Sequence, residues 1–268
     1  MAGVSRSGHL ERESRPKKAL SRDERLILTL FKKDHSKLGY RRLKMAFERK
    51  TGELINVKKV RRIKRKLCLE TLVRRKNPYR AGFRALEESH VAPNFLRRNF
   101  TPSNSQVLLS TDVSELKFAH GQKAYLAAVK DLGTKEIVAF DVRAAPTIGL
   151  AIESLVALLE GWPRSERLKT TVHSDQGFQY TSRQLRDGLA RLEVRQSMSR
   201  KGNCLDNAPI ESFFGHLKDE ADIKRCKSLG ELKRCVARYM HFYNYERPQW
   251  GLKQMTPAEA RVKLSLVY

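Results

Sequence analysis

The sequence predicts a mixed α/β domain, with helices on both faces of its sheet, preceded by a small all-helical domain. In the first hundred residues the apolar positions recur with helical spacing, whereas from Val107 onward strand-like stretches come first and then alternate with helical ones. A chain of 268 residues can bury one sizeable core and a smaller one. We therefore expect a basic helical domain over residues 1–86, a linker over 87–106 and a second domain over 107–268.

Three helices are predicted in the first domain. Ser21 and Glu24 form a capping-box pattern before an apolar run, which indicates a helix that ends near Lys33. A second helix is expected from Tyr40 to Arg49, and a third from Val57 to Leu67. Two helices joined by a short turn predict a helix-turn-helix-like arrangement, with the third helix lying on DNA.

The third helix has one apolar face and one strongly basic face. Lys66 and its basic neighbours are expected to project outward, at a density that suits the neutralisation of phosphates. The alternative is a solvated basic face with no nucleic acid on it. The cations of this helix that we assign to DNA contact are Lys58, Lys59, Arg61, Arg62, Lys64 and Arg65.

The charge balance points to a polyanionic partner. The formal net charge is +25, and residues 1–100 hold 29 Lys and Arg against 10 Asp and Glu, whereas residues 101–268 hold 25 against 19. Nucleic acid is the default partner for such a chain, and a ribosomal or membrane-surface protein is the alternative. No apolar run approaches the roughly 18 residues of a membrane span, and residues 1–10 have no signal core, so we expect a cytoplasmic protein.

The cysteines do not predict a metal module. Cys68, Cys204, Cys226 and Cys235 are isolated from one another, with no paired spacing and no matching histidines. This pattern argues against both a zinc site and a disulfide framework, so reduced thiols are expected.

The second domain begins with three predicted strands, read as antiparallel: Val107–Phe118, Ala124–Asp131 and Glu136–Val142, separated by turn sequences. Helical and strand patterns then alternate. The expected helices are 147–160, 182–192, 205–219 and 229–245, and the expected strands are 170–173 and 194–198.

Three carboxylates in this domain are candidate metal ligands. Asp112 lies in the middle of a predicted strand, where a charge among apolar residues is costly unless it is paired or metal-bound. Asp175 follows the end of a strand, and Gly177 beside it keeps the approach open. Glu211 opens the apolar face of a helix, and 35 residues separate it from Asp175.

This array and its local sequences resemble the catalytic core of insertion-sequence transposases and retroviral integrases. The stretch Gly39 to Leu43 is similar to the helical module that precedes the core in the second reading-frame product of frameshifting bacterial insertion elements. The first motif departs from the family pattern, because Leu108 and Leu109 stand where an aromatic residue is common, but Asp112 is kept. The stretches that carry the resemblance in the core are His173 to Thr181, Ser199 to Ala208, Glu211 to Phe214, Phe242 to Pro248, Leu252 and Thr256-Pro257.

The resemblance implies a ribonuclease H-like core whose catalytic and metal-binding residues are Asp112, Asp175 and Glu211. Two Mg²⁺ ions per site are implied, with Mn²⁺ able to substitute, Asp112 bridging both ions and the other two carboxylates holding one each. The implied reaction is metal-dependent cleavage at mobile-element ends, followed by strand transfer through the freed 3′ hydroxyl.

The resemblance also implies partners. These are the terminal repeats and a target duplex, further copies of the chain bridging two DNA ends, and a product of an upstream frame, in a bacterial cytoplasm near the nucleoid. Lys218 lies two helical turns after Glu211 and is a candidate DNA-end contact, as are Arg200 and Lys201 in a predicted mobile basic loop. A non-catalytic DNA-binding regulator of transposition and a structure-specific nuclease are the alternative functions.

Overall fold

The computed structural model divides the chain into two compact units, residues 1–72 and 73–268. This division falls earlier in the chain than the boundary that the sequence predicts at residue 86. The residues that the structure describes are 19–34, 37–71, 91–102, 107–200 and 204–265.

The described part of the first unit consists of the three predicted helices. They are α1 (Arg22–Lys33), α2 (Tyr40–Thr51) and α3 (Val57–Lys66). The predicted capping box is present, because the Glu24 backbone N–H donates to the Ser21 hydroxyl at 3.3 Å and the Ser21 backbone N–H donates to the Glu24 carboxylate at 3.0 Å.

Apolar side chains from all three helices form the core of this unit. Gly52 ends α2 in the left-handed region at φ +71°, a conformation that glycine adopts without steric cost, and Asn56 caps the start of α3. The short turn between them brings the apolar face of α3 back onto α2. The buried apolar residues are Ile27, Phe31, Leu38, Leu43, Phe47, Ile55, Val60 and Ile63.

The second unit is built on one mixed sheet, in the order β3-β2-β1-β4-β5. The first three strands pair antiparallel, whereas β4 lies parallel to β1 and β5 parallel to β4. The prediction of a ribonuclease H-like mixed sheet that begins with three antiparallel strands is therefore confirmed. The strands are β1 (Val107–Phe118), β2 (Gln122–Asp131), β3 (Ile137–Arg143), β4 (Thr170–Ser174) and β5 (Arg195–Met198).

Helices cover both faces of this sheet. One apolar core lies between the sheet and α7 and α8, and a second lies between the opposite face and α4 and α6. Within the described ranges, no helix is both long and apolar enough to cross a membrane. The helices are α4 (Ile148–Glu160), α5 (Arg164–Leu168), α6 (Arg183–Arg191), α7 (Ala208–Glu220), α8 (Leu229–His241) and α9 (Pro257–Ser265).

The last predicted core helix ends earlier than expected. The sequence predicts a helix over 229–245, but α8 ends at His241 and a π-helical turn follows from Phe242 to Glu246. The wider turn lets the Asn244 side chain act as a strand partner for the start of β3. Its carbonyl oxygen accepts from the Ile137 backbone N–H at 3.0 Å, and its amide donates to the Ile137 carbonyl at 2.9 Å.

The described part of the predicted linker packs on the second unit. Ala92 is buried in the core beneath α4 and α6, and Leu96 packs with Leu108 and Leu132. Residues 91–102 are therefore a structural part of the second unit, because Ala92 and Leu96 are buried in its apolar clusters. Residues 87–90 and 103–106 of the predicted linker lie outside the described residues.

Candidate active site

Asp112 and Asp175 lie beyond the same end of the paired part of β1 and β4. The last paired residues are Ser110 and His173, which stand two residues before Asp112 and Asp175, respectively. Neighbouring strands lie about 4.8 Å apart, and residues two positions apart point to the same face. Asp112 is only 8% exposed, and Asp175 directly follows the end of β4.

The turn after β4 holds the Asp175 carboxylate. Asp175 Oδ1 accepts a hydrogen bond from the Gly177 backbone N–H at 2.8 Å. A Cβ atom on residue 177 would lie 2.9 Å from that same oxygen and 2.9 Å from Gln179 Nε2. The absence of a side chain at Gly177 therefore lets the backbone approach this carboxylate.

Helix α7 lies along β1 and is joined to it by two hydrogen bonds. At one end the Ser110 hydroxyl donates to Asn207 Oδ1 at 2.8 Å, and at the other the Lys218 ammonium donates to the Ser114 hydroxyl at 2.6 Å. Glu211 lies about 6 Å along the helix axis from Asn207, and Asp112 lies about 7 Å along the strand from Ser110. The two hydrogen bonds therefore stand on either side of Glu211 in the helix and of Asp112 in the strand.

Tyr180 lies close to both aspartates, and the sequence interpretation had given it no role. Its side chain is fully buried, and its hydroxyl lies 3.2 Å from Thr111 Oγ1. Burial, followed by the negative charges of Asp112 and then Asp175, raises the pKa of Tyr180 well above its ordinary value. The raised pKa favours the neutral form of this hydroxyl, which shares a hydrogen bond with Thr111. Its only sequence signal is its place in the motif that contains Asp175.

The three carboxylates offer the ligand chemistry that Mg²⁺ prefers, since all their donor atoms are oxygens. Within the described ranges, however, no three Asp, Glu, His or Cys side chains form a closed metal-binding group. Asp112, Asp175 and Glu211 are thus not gathered into a closed ligand set among the described residues.

His173 is occupied by structural hydrogen bonds. One ring nitrogen lies 2.9 Å from Ser197 Oγ and the other 2.9 Å from the Asp206 carbonyl oxygen. Burial lowers the pKa of this imidazole, which favours its neutral form. His173 therefore joins β4, β5 and the turn before α7, and it supports the positions of the carboxylates.

The turn before α7 contains a buried carboxylate that the sequence interpretation had missed. Asp206 accepts hydrogen bonds from Arg200 through Nε and Nη2, at 2.9 and 3.0 Å, and from Arg98 Nε at 2.9 Å. These bonds, with Arg200 as the largest contributor, hold the pKa of Asp206 well below its usual range. Arg200, predicted to lie in a mobile loop, is therefore anchored, and Lys201 lies outside the described residues.

A buried lysine touches the first turn of α7. Lys130 lies opposite Ser110 in β2, and its ammonium donates to the Pro209 carbonyl at 3.0 Å. Burial, with a smaller effect of the Arg247 charge, lowers the pKa of Lys130 to about 7. The sequence does not predict this contact, because a lysine in a strand is usually interpreted as a residue that faces the solvent.

The other end of α7 is fixed by a buried ion pair. Arg247 donates through Nε and Nη2 to the two oxygens of Glu220, each at 2.8 Å, and the Tyr239 hydroxyl donates to the same carboxylate at 3.0 Å. This bidentate pair connects α7 to α8 and to the π-helical turn. Both ends of the helix that carries Glu211 are therefore held in place.

The basic residues of α3 to which the sequence assigns DNA contact differ in their exposure. Lys58, Arg62 and Arg65 are exposed, and none of them contacts a carboxylate of the described residues. Lys59 is also exposed, with its ammonium 2.5 Å from Asp23.

Two other residues of that face make internal contacts. Arg61 donates to the Tyr40 hydroxyl at 2.6 Å and lies over the Tyr40 ring, 4.1 Å from its centroid. Lys64 does not project outward as predicted: it is half-buried, with its ammonium 2.5 Å from Thr71 Oγ1 and 5.5 Å from the centre of the Phe31 ring. Its aliphatic stem packs against the apolar core, since the helix turns this position inward.

Family models match most of the chain. Two models described as "Integrase core domain" match residues 102–204 and 192–257, and one described as "HTH-like domain" matches residues 20–77. In the solved structures, the catalytic core domain of BIV integrase aligns with 60% of this chain and 96% of that chain, with a TM-score of 0.45 and 15% sequence identity.

Relatives from several bacteria share much of the sequence. An "Uncharacterized transposase-like protein" of Haemophilus influenzae is 39% identical over 223 residues, which are 82% of this chain and 99% of that protein. The "Insertion element IS600 uncharacterized 31 kDa protein" of Shigella sonnei is 33% identical over 97% of this chain and 96% of that protein. "Transposase InsF for insertion sequence IS3A" of Escherichia coli is 36% identical over 48% of this chain and 44% of that protein. The chain belongs to the insertion-sequence transposases that contain an integrase core domain.

Proposed function

We propose that Asp112, Asp175 and Glu211 are the catalytic residues with which this transposase cleaves DNA at mobile-element ends and transfers the freed strand. The observation that carries the proposal is the alignment of β1, β4 and α7. It is supported by the pairing of β1 with β4, which ends two residues before each aspartate, and by two hydrogen bonds that join α7 to β1 on either side of Glu211 and Asp112.

The donor set suits Mg²⁺, with Mn²⁺ as a substitute, and the three carboxylates would hold two ions. When bound, the ions would activate water or a 3′ hydroxyl and stabilise the charge that develops at phosphorus. Oxygen ligands leave room for phosphate oxygens beside the protein ligands.

The surrounding residues of the chain position these carboxylates. The Gly177 backbone N–H donates to Asp175, and the charges of both aspartates help to raise the pKa of Tyr180. Lys218 reaches the β1 face beside Asp112 through Ser114, which supports its role as a contact to the DNA end. Contacts of Lys130 and Arg247 at the two ends of α7 fix the helix that carries Glu211.

The remaining partners follow from the DNA substrate. We propose that Lys58, Lys59, Arg61, Arg62, Lys64 and Arg65 bring α3 to DNA, with Lys64 contributing mainly long-range charge. Arg200 and Lys201 would contact DNA nearer the active site. Joining two element ends to a target duplex requires more than one catalytic centre, so we propose a homo-oligomer on DNA, with an upstream-frame product as a further partner.

The test is cleavage and joining of a labelled duplex that carries an element end, with Mg²⁺ or Mn²⁺, in the presence and absence of the upstream-frame product. Asp175→Asn and Glu211→Gln should each lower the cleavage rate by roughly 1000-fold or more, because a neutral amide holds the ions poorly. Asp187→Asn is the matched control, since this exposed carboxylate on α6 pairs, within the described ranges, with Arg183 and Arg186 at the surface.

The outcomes separate the functional classes. Cleavage and joining by the wild type, lost in both variants and kept in the control, supports the proposal. Cleavage without joining indicates a nuclease, and DNA binding without cleavage under every condition indicates a regulator. Equal cleavage by the wild type and Asp175→Asn contradicts the catalytic assignment.

A further inference from the structure

We propose that Asp206 fixes Arg98 and Arg200 as a phosphate-binding pair for the DNA strand beside the active site. The inference rests on the proposed function and names a new contact surface for its substrate. Arg98 comes from the segment that the sequence assigns to a linker, so this surface exists only because that segment packs on the second unit.

The arrangement is a buried anion beneath two exposed cations. The Asp206 side chain is 0% exposed, whereas the side chains of Arg98 and Arg200 are 46% and 60% exposed. Asn94 completes the anchor, because its amide donates to Asp206 Oδ2 at 3.1 Å. The carboxylate therefore holds two guanidinium groups by their inner edges while their outer edges face the solvent.

The outer edges retain donors that suit a phosphate. Arg98 donates only Nε to Asp206, which leaves its terminal nitrogens for a ligand, and Arg200 donates Nε and one terminal nitrogen. Two guanidiniums and one carboxylate leave a net positive charge at this point. Because Asp206 already orders both side chains, binding of a phosphodiester loses less side-chain conformational entropy.

The pair is connected directly to the strands of the active site. The Asp206 carbonyl oxygen lies 2.9 Å from the His173 ring, two residues before Asp175. Asn207, the next residue, accepts the hydrogen bond from Ser110, two residues before Asp112. These two contacts hold the turn that carries Asp206 against the strand residues that precede each aspartate, so a DNA strand with its scissile phosphate at the carboxylates would pass near this pair.

A third cation, Arg195, extends the same surface. Arg195 lies over the Phe95 ring at 5.5 Å, and both residues are exposed. The Phe95 backbone N–H donates to Ser197 Oγ at 3.0 Å, which fixes this part of the segment against β5. An arginine on an exposed aromatic ring is a common surface for single-stranded nucleic acid, so a DNA strand is the occupant that fits both features.

The test is duplex binding by the full chain without divalent ions, measured over a range of salt concentrations. Asp206→Asn adds one positive charge to the protein, so attraction by net charge alone predicts tighter binding. Loss of the anchor predicts the opposite, and we expect affinity to fall by about ten-fold. The opposite signs make this one variant decisive.

Substitution of the arginines gives a second measurement. Arg98→Gln with Arg200→Gln should make the log–log dependence of affinity on salt shallower by about 1.8, since each phosphate contact contributes about 0.9. Arg97→Gln is the matched control, because Arg97 is exposed beside Arg98 and its side chain makes no contact with Asp206. We expect its slope to change by well under 0.9.

Folding is checked through the fluorescence of Trp162 and Trp250, which both lie in the second unit. If Asp206→Asn unfolds, the exposed arginine variants decide the question. Equal or tighter binding by folded Asp206→Asn overturns the proposal. So does a slope change in Arg97→Gln that is half or more of the change in the double arginine variant. Because binding is measured without metal, it does not depend on cleavage, so a wild type that binds in this way but never cleaves would refute only the catalytic assignment.

Discussion

At Gly177, a single missing side chain governs the position of a proposed catalytic carboxylate. A methyl group here would lie 2.9 Å from Asp175 Oδ1, closer than such contacts permit, and the atoms in its way are the ends of two side chains. The backbone can therefore stay in place while Asp175 moves.

We predict that Gly177→Ala lowers the cleavage rate by at least about ten-fold while changing the stability of the second unit by less than about 1 kcal/mol. The cleavage rate and the thermal midpoint from tryptophan fluorescence measure the two effects. Gly188→Ala is the control, because its methyl group would meet only Val156 at an ordinary 3.7 Å. Full activity of Gly177→Ala would show that the carboxylate tolerates the displacement.

The sequence predicted the charged members of the site and missed the neutral or paired ones. Asp175 and Glu211 could be found because their motifs resemble those of a known family, and Asp112 because a charge in a buried strand is costly. Tyr180 and Asp206 stand in the same motifs, but their roles depend on which side chains lie opposite them. That information comes only from the register of β1 with β4 and from the packing of residues 91–102.

At the scale of elements, Lys130 couples β2 to the first turn of α7 at an energetic cost. The folded pKa of about 7 lies below the unfolded value of 10.5, so between these pH values the unfolded chain binds more protons. Stability must therefore rise with pH across this window, and the cost of the buried charge is fully present below about pH 7.

We predict that the difference in unfolding free energy between wild type and Lys130→Met shifts in favour of the wild type by about 2 kcal/mol from pH 7 to pH 9. Urea unfolding followed by tryptophan fluorescence measures it in the second unit. Lys117→Met is the control, because it removes the same charge from an exposed position on β1. If the unfolding free energies of wild type and Lys130→Met change in parallel with pH, the lowered pKa assigned to buried Lys130 is wrong.

The elements themselves were largely predictable from periodicity, because amphipathic helices and alternating strands bury one face each. The short helix α5, the helix α9 and the π-helical turn were not. A five-residue helix has too few turns to show a period, and the turn depends on a contact between Asn244 and β3 that is distant in sequence.

At the scale of the whole molecule, charge is concentrated in one part of the chain and only part of it is available. Residues 1–100 carry most of the excess of cations, but in the first unit Lys59 and Lys66 already pair with Asp23 and Glu24. Lys58, Arg62 and Arg65 have no such partner among the described residues and lie exposed on α3.

We predict that replacing these three residues together by glutamine makes the log–log salt dependence of DNA affinity shallower by about 2.7, if each contacts one phosphate. The control is the triple replacement of Arg183, Arg186 and Arg191 on α6, which removes the same charge from residues paired with Asp187 and Glu160. Its slope should change by less than about 0.9. Equal changes in both triple variants would show that net charge alone attracts the DNA, whereas a change confined to α3 identifies the surface on which the DNA lies.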